Sequence, residues 1–322
     1  MIKIEKIKIE NFGSIDKKEI TFDRIVLLHN EGDKTMIYDL MLIIKFFLNI
    51  NPNYILERDF DSIIDEYNER FFDNTKIEIT FTFQDHYFVY RQNKNEVSVT
   101  DYISGFRMCG SLRFYILDYI FNPNILSYGY ISSLCDNYCL EDYSNELNST
   151  LSKLKNKQQI YGTDLALIFN EKRYNTVYTD ILEEFSYFNP LVLDDNLRIF
   201  LSDNGVKLMD NSGNKINEKD LDDTQLNTFD LGCFLILNKL LDNIMSMEDK
   251  DLINSPLIIS HSIDNLSTTA LENTLKSSLV EGRQIFLEQN TDTMHKLQSL
   301  DLTPSTFITE VNEKLKVSRR IK

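Results

Sequence analysis

The chain is 322 residues long and carries 34 Lys and Arg against 50 Asp and Glu, a formal charge of −16. That length suits one large or two small domains, and so acidic a surface disfavours nonspecific adhesion to nucleic acid or anionic lipid while leaving room for a local basic patch. Apolar residues make up 42% and aromatic residues 11%, with only 10 Gly and 5 Pro, which excludes disordered and collagen-like chains.

Residues 2–10 alternate as a strand, but Ile2 and Ile4 share one parity and Ile7 and Ile9 the other. An extra residue near Glu5 or Lys6 therefore predicts a β-bulge or a change of face. This alternation of charge with Ile is unlike the continuous apolar run of a signal peptide. A second strand is expected over 19–22. Arg24 to Leu28 has the length and β-branching of a buried central strand, and it leads through HNEGDK into an apolar helix over 35–50, where Ile37, Met41, Ile44 and Leu48 recur at helical spacing. The longest apolar stretch, Met36 to Ile50, is interrupted by Asp39 and Lys45. It falls short of the ~20 residues that span a bilayer and reads as a buried helix.

Residues 76–83 and 86–91 alternate cleanly around Gln84-Asp85, a hairpin signal. Longer helical patterns with Asn- and Ser-rich breaks occupy 111–188. Strand signals return at 197–201 and 206–209, bridged by the turn sequence Ser202-Asp203-Asn204-Gly205. An apolar helix is expected over about 223–245, a buried strand over 257–260, a helix over 268–280 and a third buried strand over 284–288. Strands alternating with helices after residue 250, behind an antiparallel meander in the first third, predict an α/β fold with a mixed sheet. Cys109, Cys135, Cys139 and Cys233 form no C-x-x-C, and no His lies near Cys135 and Cys139 to complete a zinc set, so no metal site is expected. They read as reduced thiols, and the expected location is the cytoplasm.

The order of these elements resembles an SMC/RecF-type ATPase head, the ABC-like branch of P-loop NTPases that includes the ATPase part of overcoming-lysogenization-defect nucleases. IKIENFGSI (7–15) with EITF (19–22) is similar to the family's opening strand, its N-F-x-S corner and its return strand. IVLLHNEGDKTMIYDLMLII (25–44) sits where the family has strand, phosphate loop and helix, with Asn30, Lys34 and Thr35 matching in type. Residues 161–192 resemble the segment around G-x-N-L-A in RecF-like heads. LDDTQ (221–225) falls on the signature motif, LIISHSIDNLS (257–267) on the Walker B strand and D-loop, and IFLEQN (285–290) on the switch strand. The resemblance covers nearly the whole chain. It implies one head domain over 1–322, with a β-rich lobe to about 110, a helical insertion over about 111–188 and an α/β lobe over about 189–322.

The departures from that pattern are concentrated at the nucleotide chemistry. A phosphate loop needs Gly at its first and sixth positions so that backbone N–H groups can close on phosphate, and here those positions are Leu28 and Asp33, with Glu31 at the interior glycine. A carboxylate about 4 Å from a phosphate charge repels it by roughly 4 kcal/mol at an effective dielectric of 20. The Walker B strand should end in Asp, a magnesium ligand, and Glu, which polarises water; this chain has Ser260 and His261. The switch histidine position is Gln289, the D-loop aspartate position is Ser267, and the signature serine and glycines are Asp222, Asp223 and Thr224. Taken together these changes read as a pseudoenzyme.

Ordinary readings stand beside each of these residues. Lys34 with Thr35 also reads as a plain first turn of a helix, His261 as a hydrogen-bonded residue at a strand end, and Asp222 with Gln225 as a capping box. The run Val311 to Lys322, with Lys314, Lys316, Arg319, Arg320 and Lys322 against Glu313, reads as a fraying basic tail or as a contact to a phosphate backbone. The leading expectation is a non-hydrolysing scaffold or regulatory subunit beside another ATPase or nuclease subunit, in DNA maintenance or phage defence, with no cofactor unless the vestigial Asn30, Lys34, Thr35 loop still binds ATP and magnesium. An ATPase built on Lys34 and Thr35, and a nucleic-acid clamp working through the basic run, are the alternatives.

Overall fold

The computed structural model describes residues 2–29, 35–48, 65–83, 86–101, 130–131, 191–192, 197–202, 205–223, 257–259, 284–289 and 305–320, with scattered positions between 145 and 182 and between 225 and 236. The chain divides into two compact units, Met1–Tyr130 with Ile253–His261 and Gly282–Lys322, and Ile131–Leu252 with Ser262–Glu281. In chain order the elements are β1 (Ile2–Phe12), β2 (Ile15–Thr21), β3 (Ile25–His29), α1 (Thr35–Leu48), β4 (Phe71–Phe83), β5 (His86–Asn93), β6 (Glu96–Asp101), β7 (Tyr130–Ile131), β8 (Leu191–Val192), β9 (Arg198–Ser202), β10 (Gly205–Met209), β11 (Leu257–Ile259), β12 (Ile285–Gln289), β13 (Ser305–Glu310) and β14 (Leu315–Arg320). Among the described residues no helix is long and apolar enough to cross a membrane.

In the first unit β2-β1-β4-β5-β6 form an antiparallel sheet. The parity change in β1 is a bulge: Ile4 faces Phe81 and Lys6 faces Thr80, so Glu5 is the extra residue. Its carbonyl accepts the Phe22 N–H at 2.9 Å. The bulge lets Ile4, Ile7 and Ile9 all point inward, each fully buried. Gln284 fills the gap in the ladder, donating to the Ile4 and Asp23 carbonyls and accepting the Ile4 N–H at 2.8 Å. The hairpin expected around Gln84-Asp85 is β4–β5, whose register closes at Phe83↔His86.

The second sheet has the order β14-β13-β3-β12-β11-β7. β13, β3, β12 and β11 run parallel, and β14 returns antiparallel on β13. β3 is thus a central strand with Val26, Leu27 and Leu28 buried, as its apolar run predicts. The expectation of a fraying tail is corrected here, since 315–320 is a strand paired along its length with β13. Leu315 is its buried anchor, and the hairpin is closed by a two-residue turn in which Asn312 and Glu313 have φ of 52° and 54° and the Val311 N–H meets the Lys314 carbonyl at 3.0 Å. Neither β13 nor β14 carries a sequence signal as clear as that of β3, because β13 buries the polar Ser305 and Thr306 among its apolar residues and β14 is short and largely basic.

α1 is described over Thr35–Leu48, and residues 49–50 of the expected helix lie outside the described residues. Ile37, Leu40, Met41, Leu42, Ile43, Ile44 and Phe47 are all buried, and so are Asp39 and Lys45, so the helix is covered on every side. Phe47 meets Phe81 and Tyr90 with ring centroids at 5.4 and 5.3 Å, and Phe46 stacks on Tyr67 at 3.7 Å. The Tyr67 and Tyr90 hydroxyls share the Gln92 side-chain oxygen at 2.7 and 2.9 Å, and burial pushes both phenols above their ordinary range.

The second unit contains the small antiparallel sheet β10-β9-β8. β9 and β10 meet at the expected turn, where Gly205 has φ +102° and an added Cβ would lie 2.4 Å from the Asn148 side-chain oxygen. The helical patterns over 111–188 and 223–245 are represented by scattered helical positions, and the helix expected over 268–280 lies outside the described residues.

The exposed face of the antiparallel sheet is a ladder of alternating charge. Glu19, Lys8, Glu78 and Arg91 stand opposite one another across β2, β1, β4 and β5, with Lys8 and Arg91 each 2.7 Å from Glu78. A second row joins Lys17, Glu10 and Lys76. Desolvation, the largest single influence on Glu78, pushes its carboxyl up, but the hydrogen bonds and charges of Lys8 and Arg91 outweigh it and hold it below its ordinary value. A depressed carboxyl adds stability that is complete above the unfolded-state value and disappears as pH falls through the folded one. Glu78→Gln is therefore expected to cost about 0.5–1 kcal/mol at pH 7 and progressively less as pH falls below the ordinary carboxylate range, measured as denaturant midpoints across an acid titration. A second expectation concerns α1: Ile44→Asp should place an unpaired charge in the core and abolish soluble expression. A stable, soluble Ile44→Asp protein would show that the helix is not buried there.

Candidate functional site

Parallel pairing brings the C-terminal ends of three strands level, with His29 opposite both Gln289 and Thr309. Ligands of open parallel sheets bind outside such ends. β11 ends earlier, its Ile259 level with Leu287 and Leu27. Of the residues singled out from sequence, Thr35 opens α1 and is exposed, and Gln289 ends β12. Asn30 and Lys34, between β3 and α1, lie outside the described residues, as do Ser260 and His261 after β11.

The first amides of a helix lack intrahelical partners and attract anions. Here the Met36 N–H donates to Glu310 Oε2 at 3.0 Å, and the Ile37 N–H donates to the same oxygen at 3.4 Å. Glu310 is the last residue of β13, next after Thr309, which faces His29. The parallel pairing of β13 on β3 thus delivers a carboxylate to the start of the helix that follows β3. This residue was not legible in the sequence: it stands 274 positions from Met36, and only the β13–β3 pairing brings it there.

Asp39 fixes the other side of this helix. It is 2% exposed, accepts the Ser14 N–H and hydroxyl at 2.6 Å each, and takes Nε of Arg70 at 2.7 Å. Arg70 also lies over the Tyr38 ring, 5.1 Å from its centroid, and Tyr38 donates its hydroxyl to Glu66. Burial, with the Glu66 contact second, pushes the Tyr38 phenol above its ordinary range. The N-F-x-S corner is therefore held by a carboxylate on α1. Gly13, inside that corner, has φ +52°, and an added Cβ would stand 2.3 Å from Asp39 Oδ2.

In the second unit Asp222 and Gln225 form the reciprocal capping box that their spacing predicts. Gln225 N–H donates to Asp222 Oδ1 at 2.8 Å and Asp222 N–H donates to Gln225 Oε1 at 3.2 Å. Both side chains are thereby engaged at a helix start. Among the described residues no group of three or more His, Cys, Asp and Glu is arranged to hold a metal ion.

No protein-family profile and no curated protein sequence matches the chain. Two solved structures superpose along almost its full length. An Smc head bound to the C-winged helix domain of ScpA does so at TM-score 0.55 and 12% identity, covering 99% of this chain and 98% of that one. The Smc head domain with an extended coiled coil, bound to the C-terminal domain of ScpA derived from Pyrococcus furiosus, does so at 0.51 and 13%, covering 100% and 97%. This chain has the fold of an SMC ATPase head. The recombination mediator protein RecF with ATP superposes at 0.45 and 13% identity over 98% of each chain, so the two Smc heads carry the assignment.

The mixed sheet and the antiparallel meander expected from the sequence are both present among the described residues. A nucleotide phosphate would require the amides at the start of α1. Among the described residues, those of Met36 and Ile37 are held by Glu310, which a phosphate would have to displace. The corner at Gly13 is testable apart from any ligand. Gly13→Ala is expected to destabilise the chain by about 2–4 kcal/mol, through a left-handed backbone and a clash with Asp39, whereas Ser14→Ala should cost about 1–2 kcal/mol for one lost donor to a charged acceptor. Thermal unfolding of both variants checks this, and a neutral Gly13→Ala would mean that the corner does not close on α1.

Proposed function

We propose that this chain is a non-hydrolysing SMC-like head that serves as a scaffold or regulatory subunit in DNA maintenance or phage defence, working beside a protein partner. The observation that carries this reading is the strand β11, which falls on the Walker B strand in the sequence resemblance and runs in sequence directly into Ser260 and His261. Serine cannot balance a divalent cation, and a histidine beside no metal-held water has little to activate. The capping box at Asp222 and Gln225 supports the same reading, since it occupies at a helix start the residues that fall on the signature motif.

Partnership with another protein draws its support from the two Smc heads, both of which are bound to ScpA domains. The nucleic-acid alternative gains little from β14. Of its basic residues, Arg319 lies 3.7 Å from Asp23 and is partly neutralised. The purified chain is expected to show no ATP turnover above a buffer control, and no MgATP-dependent homodimer by light scattering. Turnover abolished by Lys34→Ala would overturn the reading in favour of an ATPase built on Lys34 and Thr35.

A further inference from the structure

We infer that Glu310 is an internal plug of the phosphate position, an autoinhibitory carboxylate that holds the amides at the start of α1 against any phosphate-bearing ligand; this deepens the non-hydrolysing reading and rests on it. Three observations carry the inference. The Glu310 carboxylate accepts from both Met36 and Ile37 through one oxygen, at 3.0 and 3.4 Å. Its position is set by two strand pairings at once, since β13 runs parallel to β3 with Thr309 facing His29, and antiparallel to β14 with Glu310 facing Leu315. Leu315 is buried and its carbonyl accepts the Lys18 ammonium, so the strand that backs Glu310 is itself tied to the antiparallel sheet. The carboxylate is thus delivered by the sheet and does not depend on the conformation of a free loop.

The physical consequence is exclusion. An anion seated on a helix N-terminus is favoured by the partial positive charge there, and two anions cannot share one set of N–H donors. A nucleotide's phosphate or an inorganic polyphosphate would have to displace Glu310 and would lie against its charge during the exchange. Glu31 and Asp33, in the connection between β3 and α1, add to the negative charge of the sequence at this point.

The test is ligand-induced thermal shift on the full chain and on Glu310→Ala and Glu310→Gln, each with millimolar MgATP and, in a separate arm, magnesium tripolyphosphate. The parent should not respond. Glu310→Ala should show an upward shift in melting temperature with both probes, corresponding to an affinity at least about tenfold above the parent's, because one full repulsive charge is removed. Glu310→Gln keeps an oxygen acceptor for the amides without the charge, and it should respond less than Glu310→Ala but more than the parent. A response to MgATP and none to tripolyphosphate would still support the plug and would place part of the affinity in the nucleoside. Loss of the cap lowers the melting temperature of the free variant, but a purely structural role for Glu310 would not create a ligand response. Variants that respond no more than the parent would overturn the plug while leaving the scaffold reading intact. ATP turnover by the parent would defeat the scaffold reading, and a strong parental response to MgATP would defeat both.

Discussion

A single buried carboxylate sets the frame on which the rest of the first unit is built. Asp39 sits on a helix covered on all sides, where a charge without partners is not tolerated. Its partners come from two separate pieces of chain, the Ser14 corner and Arg70. Satisfying Asp39 therefore fixes the angle of the β1–β2 corner and the position of the helical segment over 65–70 together. Gly13 is part of the same constraint, because the corner approaches Asp39 so closely that no side chain fits between them. Buried ionic contacts of this kind are poor sources of net stability but costly to break on one side, which suits a joint whose task is to specify geometry.

The two sheets of the first unit meet through a second polar joint. Gln284 precedes β12 and completes the hydrogen bonding of Ile4 in β1 from both sides, beside the bulge at Glu5. Its amide also reaches the Asp23 carbonyl just ahead of β3. A strand-like pairing made by a side chain can join sheets whose backbones do not continue one another. Around these two joints the apolar groups do the remaining work: Phe22 lies edge-on to Phe286 at 5.6 Å, and the Phe47, Phe81 and Tyr90 cluster closes α1 onto the antiparallel sheet.

What the sequence revealed follows from how local each signal is. The bulge at Glu5, the hairpin at residues 84–85, the turn before Gly205 and the capping box at Asp222 all depend on residues within a few positions of one another, and parity or spacing exposed them. The strands β3 and β12 were legible because strands buried on both faces are short unbroken apolar runs, and β11 carries the same kind of run. Glu310, Arg70 and Gln284 were not, since their meaning comes from partners 274, 31 and 280 positions away. β13 and β14 were missed for a related reason: the basic outer face of the hairpin hides its inward residues, and its mirror-image turn carries Asn312-Glu313 where a glycine would have announced it.

The described interactions that hold the first unit are made between β1, β2, β4, β5, α1 and the start of β12. Among the described residues, Asp39, Gln284, the aromatic cluster and the charge ladder on the outer face are satisfied by one another and by their immediate neighbours. The one described residue in which fold and chemistry meet is Glu310, which ends a structural strand and caps a structural helix at the point where the fold class binds phosphate. A charge placed there by the sheet stabilises the helix start in the absence of ligand. On the scaffold reading proposed above, the ligand-free state is the resting state, and it is this state that would be offered to a partner as a fixed surface.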